Sequence, residues 1–154
     1  MEEIISKEEL NELMKIKGET RGVSIKDVLD FVFKEEGEEG LKKLEETMVK
    51  LGKPIKYREI KLMTFYPLKL LAITLLAIKR FFNYDDKKFQ EMGRFAPKVS
   101  FMMRLFAKYF YSIRKVIKET PKWWRKVFTI GDIKVVEYDQ EKRYMIMRLE
   151  NFRV

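Results

Sequence analysis

Apolar residues along this chain recur mostly at helical spacing, and the exceptions gather near the C-terminus. Over residues 6–16, Leu10, Leu13 and Met14 share one face of a short amphipathic helix. Ser6, with Glu9 three positions on, has the pattern of a capping box. Residues 17–23 include Gly18 and Gly22 and read as a turn or short strand. Ser24 with Asp27 repeats the capping-box pattern and predicts a helix through Phe33 that Gly37 ends. A further helix is expected over residues 41–51, stopped by Gly52 and Pro54.

Residues 54–64 fit a strand or a short helix equally well. Pro67 suits the first turn of the next helix, where its missing N–H costs nothing. That helix should run to about Phe82 and, being apolar on most sides, should occupy the centre of the domain. Asp85 or Asp86 caps the following helix, which is expected to reach Gly93, and Pro97 restarts or kinks the chain. From residue 98 to 118, a step of about 100° per residue places Val99, Met102, Met103, Phe106, Phe110, Ile113 and Ile117 on one face. Lys98, Arg104, Lys108 and Lys115 fall opposite, so one long amphipathic helix with a basic outer stripe is predicted. Thr120 is expected to cap a final short helix carrying Trp123 and Trp124, with Pro121 at its first position. After Gly131 the period changes to two. Ile133, Val135, Val136 and Tyr138 precede a turn at 139–142, and Met145, Met147 and Leu149 then line one face of a second strand.

Charge changes the picture in one place. Residues 94–126 hold ten Lys or Arg against the single acid Glu119, a surplus equal to the whole chain's net charge of +9. The first 46 residues lean the other way, with 14 acids and 8 bases. A field that concentrated normally meets something anionic. The chain has no Cys and no His, only two Gln and three Asn, and abundant Lys, Glu and Arg, which is the composition expected of a thermophile protein. Those absences exclude disulfides, thiolate nucleophiles, zinc fingers, imidazole shuttles and histidine-ligated haem. A metal site would have to be all-oxygen. No secretory signal is visible behind Glu2 and Glu3, and the most apolar run, 65–82, is interrupted by Lys69 and Lys79. A cytoplasmic, non-enzymatic protein without cofactors is the expectation.

Several local signals follow one another along the chain: Lys17-Gly18, Phe65-Tyr66-Pro67, Met92-Gly93-Arg94, Pro121-Lys122-Trp123-Trp124 and Gly131-Asp132-Ile133. In their order and spacing the chain resembles a bacterial paralogous family of unknown function first noted in Myxococcus, within the haem-NO-binding-like and vinyl-4-reductase domain group. The likeness covers roughly residues 17–150, leaving 1–16 as an N-terminal helical extension of a single domain, 1–154. It implies an α/β (α+β) fold, with helices packed on a small antiparallel sheet, a C-terminal β-hairpin and an apolar cavity between them. Members of the wider group serve as sensory or ligand-binding modules, and some hold an acyl chain. The haem branch uses a proximal His and a Tyr-x-Ser-x-Arg motif. Here there is no His, and Tyr111-Ser112-Ile113-Arg114 is one residue short, so haem sensing does not carry over.

Candidate sites follow from both lines of reasoning. Tyr66, Arg94, Met102, Phe106 and Trp123 form the candidate ligand pocket, Arg94 as the polar group that would pair with a ligand carboxylate or phosphate. A structural ion pair at the Pro97 kink is the other reading of Arg94, and a capping contact that of Tyr66. Met63, Met92, Met102, Met103, Met145 and Met147 could line an adaptable cavity or simply pack a core. Lys98, Arg104, Lys108, Lys115, Lys122, Arg125 and Lys126 make the candidate anionic-partner surface, or else a solvated helix face. The function expected is a haem-free sensory, ligand-binding or scaffolding domain holding a small apolar or acyl ligand. A homodimer through a helical face is expected with it, the acidic N-terminal part meeting the basic stripe. The alternatives are a nucleic-acid-binding accessory protein or a peripheral membrane protein using 94–126.

Overall fold

The computed structural model describes residues 4–100, 104, 105, 108 and 112–152. Helix α1 (Lys7–Met14) starts at the expected capping box: the Ser6 hydroxyl accepts from the Glu9 N–H, and the Ser6 N–H donates to the Glu9 carboxylate. Glu9 also pairs with Arg80, whose guanidinium is the main reason its carboxyl is held down at about 2. That pair fastens α1 to the central helix, and Ile5 beside it is buried. Ile4, Leu10, Leu13 and Met14 pack with Ile5 against the core.

Strand β1 (Glu19–Arg21) leads directly into helix α2 (Gly22–Lys50). This corrects the second capping box. The N-cap is Arg21, and the first free N–H groups are taken by distant carbonyls, Gly22 by Thr64 (2.8 Å) and Val23 by Leu62 (3.0 Å). With the helix begun at Gly22, Ser24 and Asp27 lie inside it, and their side chains go to Thr20 and Ser100. Gly37 interrupts α2 at φ 70°, as the sequence reading expects, but helix resumes immediately after it. Residues 57–59 form one 3₁₀ turn.

Strand β2 (Phe65–Pro67) pairs antiparallel with β1, Thr20 opposite Tyr66. Pro67 is the N-cap of helix α3 (Leu68–Phe81), one position before its expected place, and the Leu68 N–H is taken by the Gly18 carbonyl. The core lies between α2 and α3: Ile25, Leu29, Phe31, Leu44 and Met48 meet Ile73, Ala77 and Ile78. Helix α4 (Asp86–Val99) is capped by Asp85, which accepts from the Lys88 N–H at 2.8 Å. It does not stop at Gly93. The glycine stays helical, and the helix passes Pro97 to end at Ser100, where ψ swings to 123°.

The single helix expected over 98–118 is not formed. Ser100 ends α4 and Ser112, in an extended conformation, caps helix α5 (Ile113–Val127) by accepting from the Lys115 N–H. Met102, Met103, Phe106, Phe110 and Tyr111 lie outside the described residues. Thr120 and Pro121 do not open a new helix either. Both sit inside α5, where the Thr120 hydroxyl donates back to the Val116 carbonyl at 2.7 Å. Strands β3 (Asp132–Asp139) and β4 (Tyr144–Glu150) make the expected hairpin, with a bulge at Val136 and a turn in which Asp139 accepts from the Lys142 N–H. An isolated bridge between Thr20 and Phe128 ties this C-terminal part to β1. The result is an α+β fold with two small antiparallel sheets.

Candidate ligand groove

Four elements converge on one groove of about 410 Å³. The first turns of α2 supply Val23, Ser24 and Asp27, and the end of α4 supplies Gly93, Ala96, Pro97 and Ser100. Helix α5 contributes Val116, Thr120, Trp123, Trp124 and Val127. Ile133, Met145 and Met147 of the hairpin complete the walls with Phe128. The volume is that of a small-molecule site, and the walls are apolar apart from a few convergent polar groups.

Each polar group there has a local cause. Trp124 is oriented by its indole N–H, which donates to the Ile130 and Gly131 carbonyls at 3.1 and 3.0 Å, and by stacking on Phe128 at 4.2 Å. Gly131 holds φ 77°, so those two carbonyls can turn inward. The Ser24 hydroxyl accepts from Thr20 at 3.0 Å. Asp27 is half-buried on the groove wall, and among the described residues its one hydrogen-bonding side chain is Ser100. Burial pushes its carboxyl up from 3.8 to about 6, aided by the nearby Asp30 charge and opposed by the Ser100 hydrogen bond.

That displacement predicts a pH-dependent stability. A raised acid holds its proton more tightly folded than unfolded, so its contribution is complete below about pH 4 and lost as pH rises through about 6. Asp27→Asn should therefore stabilise the protein at pH 7.5 by about 1–2 kcal/mol, after allowing for residual solvent contact, and be nearly neutral at about pH 3.5. Urea midpoints at the two pH values measure it. A destabilised variant at the higher pH would show the carboxylate to be paired in the folded state.

Of the pocket residues expected from sequence that are described, Tyr66, Arg94 and Trp123, only Trp123 lines the groove. Arg94 is exposed and off it, on α4 one residue beyond Gly93. Tyr66 does not line the groove; its hydroxyl accepts from the Lys61 N–H of the preceding loop at 3.0 Å. Met102 and Phe106 are outside the described residues. Of the methionines, Met145 and Met147 line the groove, Met92 is core, and Met63 is exposed. Sequence reasoning takes Asp27 for a cap; the signal for its real place, an acid amid Val23, Ile25, Val28 and Leu29, is faint.

The basic residues Lys98, Arg104, Lys108, Lys115, Lys122, Arg125 and Lys126 are all exposed. Because α4 and α5 are separate, they do not form one helical stripe. Lys122 pairs with Glu119, Arg125 with Asp132, and Lys126 lies over the Trp123 ring. No group of three or more acids that could hold a metal occurs among the described residues, and none of their helices is long and apolar enough to cross a membrane. No family model matches this sequence, and comparison with curated proteins and with solved structures gives no match.

Proposed function

We propose that this domain is a non-catalytic, haem-free ligand-binding module that holds a small, largely apolar molecule between α2, α4, α5 and the hairpin. The groove itself carries the reading: about 410 Å³, walled by side chains from four elements, with two indoles in its lining. The resemblance to the haem-NO-binding-like and vinyl-4-reductase group favours the same use and adds a sensory or scaffolding role downstream. Apolar walls supply the affinity, because each methylene moved out of water contributes about 0.8 kcal/mol.

Trp123 and Trp124 are the chain's only tryptophans, so all indole fluorescence reports on this groove. Titration with 1-octanol should shift that emission saturably. Gly93→Leu should abolish the shift while leaving the fold intact, since a Cβ at this helical glycine meets no atom within 4 Å, the position borders the groove, and leucine favours helix. An unsaturable response, or one that Gly93→Leu leaves unchanged, would overturn the proposal.

A further inference from the structure

We infer that the groove selects a cationic amphiphile, an aliphatic chain ending in a primary ammonium group, with Asp27 as its counter-ion. The inference rests on the groove being a ligand site and names the chemistry that site would take. Among its described lining residues Asp27 is the one ionisable group. It stands half-buried between Val23 and the last turn of α4, with the Ser24 and Ser100 hydroxyls also on the wall. No ion pair to Asp27 occurs among the described residues, and its neighbour Asp30 is of like sign. A carboxylate left without a cation in an apolar wall is costly, and a ligand that brings the cation removes the cost as it binds. An ammonium head can donate to Asp27 and to the adjacent hydroxyls at once, while its chain lies along Trp123, Trp124 and Met147.

The same geometry disfavours the acyl carboxylate expected from sequence. Arg94, its intended partner, is exposed and off the groove, and Asp27 would repel the head group. Nor does the protein's net charge of +9 favour amines over alcohols. Preference for the amine must come from a local group.

The test uses three probes of equal chain length, octylamine, 1-octanol and octanoate, titrated into the full chain at about pH 7.5 by calorimetry and indole fluorescence. Octylamine is expected to bind at least about tenfold more tightly than 1-octanol, the value of a charged hydrogen bond, with octanoate weakest. Asp27→Asn should bring octylamine within about twofold of 1-octanol, and Asp27→Glu should keep the amine preference. Equal binding of all three probes, or tightest binding of octanoate, overturns the inference and leaves the groove reading standing. An amine preference that survives Asp27→Asn overturns the assignment to Asp27. If no probe binds, the ligand-binding reading fails and the inference fails with it.

Discussion

Phe31→Ala is expected to remove about 3–5 kcal/mol of stability, a large part of the roughly 5–15 kcal/mol typical of a domain. The ring is 1% exposed at the heart of α2. Its edge meets Tyr84 at 6.2 Å and Phe95 at 5.5 Å, so one side chain joins α2 both to the turn after α3 and to α4. The ammonium groups of Lys34 and Lys88 lie 5.6 and 5.7 Å from its centre and cover the remaining side. Truncation leaves a void that three elements would have to close, and α4 also forms one wall of the groove. The urea midpoint should fall sharply at an unchanged slope. Phe33→Ala, two residues on and 45% exposed, should cost no more than about 1 kcal/mol, and similar losses in the two variants would contradict this account of the core.

Gly22→Ala should cost about 3 kcal/mol, the upper end for added bulk in a packed site. The backbone there is ordinary, so no conformational rule forbids alanine. The obstacle is tertiary: a Cβ would stand 2.2 Å from the Lys61 carbonyl oxygen and 2.8 Å from the Tyr66 ring. A backbone oxygen cannot rotate away, and moving it breaks the bonds by which Thr64 and Leu62 cap α2. Because Val23, Ser24 and Asp27 follow at once, the variant should also weaken 1-octanol binding by several-fold. Gly93→Ala makes the contrast, being free of contacts and expected to stabilise its helix by about 0.5–1 kcal/mol. Thermal denaturation of the pair separates the two kinds of glycine. A neutral Gly22→Ala would mean that the 61–66 loop yields easily.

Two identical-looking signals have different fates. Ser6 with Glu9 forms the capping box because nothing else competes for the first N–H groups of α1. Ser24 with Asp27 does not, because the helix already begins at Gly22, where carbonyls some forty residues away take its first N–H groups, and both residues lie inside it. Periodicity fails similarly over 98–118. The apolar face is present in the sequence, yet Ser100 and Ser112 each adopt extended geometry and split the helix. Thr120-Pro121 looks like a helix start, but α5 already runs from Ile113 and tolerates the proline. Arg94 and Trp123 look alike as pocket candidates, and only the side of the helix that each occupies distinguishes them.

The sequence by itself determined the features that neighbours three or four residues apart, or alternate residues, decide. These are the capped α1, the apolar α3 at the centre, the break at Gly37, the hairpin, and the exclusion of all Cys and His chemistry. Only the tertiary structure decided where α2 begins, why Gly22 must be bare, and that Asp27 faces a groove shared with Ser100, Thr120 and Met145. Those residues are brought together by strand pairing and helix packing from opposite ends of the chain, and local spacing carries no record of such encounters.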